Sequence, residues 1–248
     1  MFDLAGKVAL ITGASRGLGW AIASAFAAEG MKVVAAARSL DDLEHLASTH
    51  PDSIEAVRCD MSDRDQVVAL VDTAVERFGR LDVVVNNAGI APAGKFVDME
   101  LETWDQVFAV NLFGPVALAR RAGELFIEQG HGKVLNIAST SGLRGKPILA
   151  AYSSSKGAML RFTEAVAAEW APKGVQVNVI APGAFETDAQ SAVTEDPEML
   201  AARLRKIPSR RMGHIDEIGP LACYLASPLS NFVTGATYVI DGGEANKL

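Results

Sequence analysis

The sequence predicts an α/β fold with a doubly wound parallel sheet, folded as one domain over residues 1–248. Three observations predict it. Short apolar runs of strand length recur along the chain, stretches with apolar residues at helical spacing alternate with them, and the first run ends in a glycine-rich turn that opens a helix.

The first run, Lys7 to Thr12, is a strand that leads into Gly13-Ala14-Ser15-Arg16-Gly17-Leu18-Gly19, and Trp20 to Glu29 is an alanine-rich helix closed by Gly30. Met31 to Ala37 predicts the second strand and Leu40 to Ser48 a short helix. Ile54 to Arg58 is the third strand, followed by a helix over Asp63 to Phe78 that Gly79 closes. Leu81 to Asn86 is the fourth strand, running into Asn87-Ala88-Gly89. Two helices follow, Leu101 to Asn111 and Pro115 to Gln129, and then a fifth strand, Lys133 to Ala138. A long helix over Ala151 to Trp170 precedes the sixth strand, Val175 to Ile180, which ends at Ala181-Pro182-Gly183. Thr187 to Gly213 is polar and irregular, with one helical patch near Pro197 to Lys206. A last helix, Ile215 to Ala226, leads to the seventh strand, Thr237 to Ile240. Strands alternating with helices in this way give a Rossmann-type sheet covered on both faces.

Composition narrows the class of function. A chain of 248 residues, 49% hydrophobic and 21% charged, is large enough for one sizeable core and is not that of a disordered protein. The net charge of −7 argues against nucleic acid or an anionic membrane surface as the main partner. Val8-Ala9-Leu10-Ile11 is too short to span a bilayer or to serve as a signal core, so no targeting segment is read and a cytoplasmic location is expected. Cys59 and Cys223 form no pairing pattern and predict buried thiols in a reducing compartment. His45, His50, His131 and His214 form no ligand cluster, so no metal site is predicted.

The glycine turn suits a dinucleotide. Glycines there let the backbone approach a pyrophosphate, while the helix N-terminus supplies amide donors and a positive dipole end. The spacing Gly13-x-x-x-Gly17-x-Gly19 differs from Gly-x-Gly-x-x-Gly and predicts a different turn. After the second strand an NAD site places an acid to bind the ribose 2′-hydroxyl. Here the chain reads Ala35-Ala36-Ala37-Arg38-Ser39, with no acid before Asp41. Arg38, with Arg16 from the turn, could instead hold a 2′-phosphate, which favours NADP(H) over NAD(H).

The chemistry is expected around Ala151-Tyr152-Ser153-Ser154-Ser155-Lys156, with Ser139 upstream. Tyr152 and Lys156 are one helical turn apart and share a face. With 3 Tyr in the chain, about 0.1 such pairs are expected from average composition. An adjacent ammonium favours the phenolate of a tyrosine, and a hydroxyl such as Ser139 could hold a substrate oxygen while Tyr152 moves the proton.

Together these pieces resemble the short-chain dehydrogenase/reductase family over essentially the whole chain. The resemblance rests on Thr12-Gly13-x-x-x-Gly17-x-Gly19, Asn86-Asn87-Ala88-Gly89, Asn111, Ser139, Tyr152-x-x-x-Lys156 and Pro182-Gly183, in the family's order. It implies that Ser139 orients the substrate oxygen and that Tyr152 is the general acid/base. Lys156 would lower the tyrosine pKa and bind the nicotinamide ribose, and Asn111 would hold a water of the proton relay. Gly13, Ser15, Arg16, Gly17, Leu18 and Gly19 would form the cofactor turn, and Asp60 would contact adenine. Asn87, Ala88 and Gly89 would line the adenosine side, with Asn87 also bracing the fourth strand. Pro182 and Gly183 would border the nicotinamide, and Thr187 would contact its carboxamide. Alternatives remain for three of these: Asn111 could cap or bend its helix, Asp60 could open a turn, and Pro182-Gly183 could be a turn alone. The resemblance also implies a homotetramer built through the helices around 101–129 and 151–170.

The expected activity is hydride transfer between NADP(H) and a ketone or secondary alcohol, with the substrate-binding segment at about 187–213. Ser141 to Ala150, Ala91 to Val97 and Ala184-Phe185 complete the region that sets the substrate. These stretches mix apolar residues such as Ile148 and Phe185 with cations such as Lys146 and Arg203. The family members most similar are 3-oxoacyl-[acyl-carrier-protein] reductase and NAD-linked sugar-acid or polyol dehydrogenases. A third reading is a dinucleotide-sensing or scaffold protein without turnover.

Overall fold

Seven apolar runs form parallel strands: β1 (Val8–Thr12), β2 (Lys32–Ala37), β3 (Ile54–Arg58), β4 (Val83–Asn86), β5 (Gly132–Ile137), β6 (Val175–Pro182) and β7 (Thr237–Ile240). The structure, a computed structural model, describes residues 2–245, apart from the side chains of residues 189 and 192. The ends of the range expected for the domain, residues 1 and 246–248, lie outside the described residues. The sheet order is β3-β2-β1-β4-β5-β6-β7, and every adjacent pair is parallel. Every residue of β1, β4, β5 and β6 is buried, as strands covered on both faces require.

Alternation along the strands divides the core. Ala9 and Ile11 of β1 face helices α1 (Gly17–Ala28), α2 (Leu40–Thr49) and α10 (Ile218–Ala226). Val8 and Leu10 face α3 (Arg64–Phe78), α5 (Gly114–Gln129) and α7 (Ala150–Trp170). Cys59 and Cys223 lie inside these layers, and burial pushes their thiols up to about 11 and about 12. The strand order reverses between β1 and β4, and a crevice at the carboxyl ends of the strands beside such a switch point is where open α/β sheets bind ligands.

Local chemistry sets the ends of several helices. The Asp63 carboxylate accepts from the N–H groups of Asp65 and Gln66 at the start of α3, and Gly79 at φ 77° ends it. Asp196 caps α9 (Pro197–Lys206) in the same way. α1 differs. It begins at Gly17, three residues before the expected start, and has neither a side-chain cap nor an acid in its first turn.

The two helices expected over 101–129 are continuous. α4 (Leu101–Phe108) passes through a π-helical turn, Ala109–Phe113, into α5. The Asn111 side chain, held by the Ile90 main chain on both its oxygen and its nitrogen, occupies this widened turn. β6 runs two residues past Ile180 because Ala181 and Pro182 pair with Val239 and Ile240. The segment 187–213 carries α9 and the short α8 (Ser191–Thr194), and α6 (Thr140–Leu143) follows β5. Among the described residues, no helix is long and apolar enough to cross a membrane.

Candidate active site

Ser139 lies two residues beyond β5, and its Oγ accepts from the Ser141 N–H at 3.1 Å, capping α6. This fixes its hydroxyl at the carboxyl edge of the sheet, where it hydrogen-bonds the Tyr152 phenol. Four residues along α7, Lys156 is buried, and its ammonium donates to the Ile137 carbonyl of β5 at 2.7 Å. The three side chains expected to work together are therefore brought together by β5 and α7.

The phenol and the ammonium are not electrostatically arranged as the spacing suggests. Burial pushes the Tyr152 pKa up, and the Ser139 hydrogen bond offsets this only in part. Burial also pushes Lys156 down to about 8. The ammonium stands 5.8 Å from the centre of the Tyr152 ring and is directed at a main-chain carbonyl. Burial is the larger influence on the phenol, and Ser139 is the group that opposes it.

Asn111 joins the same cluster by its side chain. Its Oδ1 accepts from the Ile90 N–H at 2.8 Å, and its Nδ2 donates to the Ile90 carbonyl at 2.9 Å and to Ser155 Oγ at 3.1 Å. The Ser155 hydroxyl donates in turn to the Tyr152 carbonyl at 2.8 Å. Asn111 thus ties the loop after β4 to the helix that carries Tyr152 and Lys156, and it also sits in the π-helical turn of its own helix. Gly89 closes the cluster: a Cβ there would stand 3.4 Å from both Asn111 Oδ1 and Lys156 Nζ. Ser155 was not singled out from the sequence, although its position three residues after Tyr152 places it on the same helical face. Beyond Ile90 a cavity of about 450 Å³ opens between Ala91-Pro92 and Glu102, Thr103 and Gln106 of α4.

The glycine turn is held from β4. The Asn87 Nδ2 donates to the Thr12 and Gly13 carbonyls at 3.0 Å, and Thr12 Oγ1 accepts from the N–H groups of Asn87 and Ala88 at 3.1 and 3.2 Å. A Cβ on Gly19 would strike the Gly13 carbonyl and the Asn87 amide, so this close crossing needs glycine. Among the described residues no side chain caps the N–H groups opening α1, whereas those of α3 and α9 are capped. An uncapped helix start free of acids fits the pyrophosphate of a dinucleotide. Ser15 and Leu18 are half-buried in this turn, and Arg16 is exposed at its helical end.

The rim of the turn gathers the other expected residues. Arg38 is exposed at the end of β2, and its charge acts on Asp60, the residue two past β3. The Asp60 carboxylate accepts from the Ser62 N–H and hydroxyl at 2.9 and 2.7 Å, and these bonds, with the Arg38 charge, hold its pKa below the usual range. Asp60 thus does open a turn. Gly183 donates its N–H to the Ile240 carbonyl at 2.9 Å, and a Cβ there would press into Asp241. The Thr187 methyl reaches the glycine turn, 3.5 Å from where a Cβ on Gly17 would be.

Residues 13–244 match the family model described as Enoyl-(Acyl carrier protein) reductase. The chain is also 38% identical to 2-dehydro-3-deoxy-D-gluconate 5-dehydrogenase of Pseudoalteromonas atlantica, over 98% of this chain and 97% of the relative. The chain belongs to the short-chain dehydrogenase/reductases. Another member, the 3-oxoacyl-[acyl-carrier-protein] reductase of Synechocystis, is 37% identical over 98% of both chains. Among solved structures, a gluconate 5-dehydrogenase from Burkholderia cenocepacia in complex with NADP and tartrate superposes with a TM-score of 0.94 at 34% identity, covering 100% of this chain and 98% of that one. As a short-chain dehydrogenase/reductase, this protein is an oxidoreductase of alcohol and ketone groups.

Proposed function

We propose that the protein interconverts a ketone and a secondary alcohol with NADP(H) in preference to NAD(H), and that Tyr152 carries the proton. The observation that carries this reading is the meeting of Ser139, Tyr152 and Lys156, with Gly89 packed against Lys156 and Ala88 packed against Gly13 of the turn that opens the uncapped α1. The bound dinucleotide supplies or accepts the hydride at its nicotinamide. Ser139 Oγ holds the substrate oxygen, and the Tyr152 hydroxyl gives its proton to that oxygen in reduction and takes it back in oxidation. A phenol kept protonated by burial suits the reducing direction. Lys156 binds the nicotinamide ribose. The Asn111 side chain, with protein partners on both atoms, positions α7, and the relay water is its weaker role.

The other site residues follow the same reading. Gly13, Ser15, Arg16, Gly17, Leu18 and Gly19 wrap the pyrophosphate. Arg16 and Arg38, both exposed with no acid at the end of β2, support binding of a 2′-phosphate. Asp60, Asn87, Ala88 and Gly89 line the adenosine side, and Pro182, Gly183 and Thr187 border the nicotinamide. The segment 187–213 covers the substrate within a single domain. Exposed Phe96, Leu101 and Phe113 around α4 and α5 support subunit contacts in a homotetramer, and a cytoplasmic location accompanies this reading.

The sugar-acid alternative is favoured by the relatives, since proteins named for gluconate derivatives occur among both the sequence and the structural matches. A sensor without turnover is disfavoured, because Asn111, Ser139, Tyr152 and Lys156 are all present and assembled. The test is oxidation of NADPH and of NADH against an acetoacetyl thioester, 5-ketogluconate, a diketone and an aromatic ketone. Turnover of one of these, faster with NADPH, is the expected result. NADPH binding without turnover of any carbonyl, or a preference for NADH, would contradict the corresponding half of the proposal.

A further inference from the structure

Lys146 lies in the loop between α6 and α7, and its backbone is tied to the catalytic helix. Its N–H donates to Ser153 Oγ at 3.2 Å, one residue past Tyr152, and its carbonyl accepts from the Leu149 N–H at 3.2 Å. The side chain is half-buried, and among the described residues its ammonium makes no hydrogen bond or ion pair. Four other charges act on it: Glu244, Arg203, Asp241 and Lys206.

Both carboxylates in that group are already engaged. Glu244 is held by both Nη atoms of Arg203, at 2.5 and 2.7 Å, in a pair that leaves only 18% and 15% of the side chains exposed. Asp241 accepts from the N–H groups of Gly243 and Ala245 at 2.8 and 2.5 Å. The Arg203–Glu244 pair also fastens α9, inside the substrate segment, to the chain end beyond β7. Among the described residues, what remains is a partly desolvated cation with no acceptor, in a cluster where three cations outnumber two anions. Such a group is stabilised by an anion that arrives with a ligand.

We propose that Lys146 receives the carboxylate of the substrate, so that the protein selects a hydroxy acid or keto acid over the neutral compound with the same carbon skeleton. This rests on the carbonyl-reductase reading, which puts the reacting carbon at Ser139 and Tyr152. Lys146 then reads the charged end of the molecule, and the paired Arg203 and Glu244 hold α9 over it.

The test is calorimetric binding of D-gluconate and of D-sorbitol, its uncharged counterpart, to the NADP⁺-loaded protein. Gluconate is expected to bind roughly tenfold to a hundredfold more tightly than sorbitol, the range of a hydrogen bond to a charged group. That advantage should be lost in Lys146→Met and kept in Lys146→Arg, with circular dichroism and NADP⁺ binding reporting the fold of each variant. Wild-type protein with no preference for gluconate, or a preference that survives Lys146→Met, would overturn the proposal. Turnover by a Tyr152→Phe variant bears on the oxidoreductase reading alone, so the two fail separately.

Discussion

The Lys156 ammonium stands 5.8 Å from the centre of the Tyr152 ring and donates to the Ile137 carbonyl at 2.7 Å. The lysine is therefore anchored by the sheet, and the Ser139 hydroxyl acts on the tyrosine. Burial dominates both groups and drives each toward its neutral form. The free protein keeps the phenol protonated and gives the lysine a charge that titrates near neutrality.

A pH dependence follows with a definite sign. Lys156, lowered to about 8, loses its charge as pH rises through that value, while the unfolded chain holds the same proton to its ordinary value of 10.5. Between those values the unfolded state binds more protons, so the contribution to stability rises with pH across that window. On the proposed reading, the cation that would meet the cofactor is lost as pH rises through about 8. The expected result is a kcat/KM for NADPH, which reports the free enzyme, that falls as pH rises through about 8. Lys156→Met should remove that limb of the profile. An unaltered limb in the variant would assign it to another group.

The proposed preference for NADP(H) rests on the end of β2. Arg38 is exposed, its charge acts on Asp60, and no acid stands where a ribose 2′-hydroxyl would be bound. Arg38→Asp should weaken NADPH roughly tenfold to a hundredfold, the range for loss of a hydrogen bond to a charged group, and leave NADH nearer wild type. Cofactor titrations by fluorescence check it. An unchanged ratio of the two affinities would remove Arg38 from the role.

The buried polar chain beneath the site is a separate matter of stability. Asn86 Nδ2 donates to Asn136 Oδ1 at 2.8 Å, and Asn136 Nδ2 donates to Thr163 Oγ1 at 2.8 Å, linking β4, β5 and α7. Among the described residues, Asn86 Oδ1 already has no partner. Asn136→Ala should leave Thr163 Oγ1 without its donor and Asn86 Nδ2 with only a long 3.5 Å bond to the Pro115 carbonyl, at about 1–3 kcal/mol for a buried group left unsatisfied. For a chain of this size, melting should fall by about 2–4 °C per kcal/mol. Thermal unfolding with and without NADPH measures the loss.

The sheet was legible because strands buried on both faces read as near-continuous apolar runs, as Val8-Ala9-Leu10-Ile11 and Val83-Val84-Val85 do. The glycine turn was legible for a similar reason, since Gly19 crosses Gly13 too closely for any side chain. Features made by distant pairs were not. The π-helical turn at Ala109–Phe113 accompanies bonds between Asn111 and Ile90, which lie 21 positions apart. The four-residue α6 is too short to leave a periodic signal. The Tyr-x-x-x-Lys spacing placed both groups on one helical face but carried nothing about their burial, and burial pushes the phenol up. Thr187 reaching Gly17 depends on how the segment after β6 folds back, which the residues of that segment do not encode by periodicity.

The central claim is that Tyr152 moves the proton. Its most direct test is the Tyr152→Phe variant, assayed for NADPH-dependent ketone reduction alongside NADPH binding. Removing a positioned acid should lower turnover by about 10²- to 10⁴-fold, while NADPH still binds and the fold is retained. Turnover near wild type in a folded, NADPH-binding Tyr152→Phe protein would contradict the account.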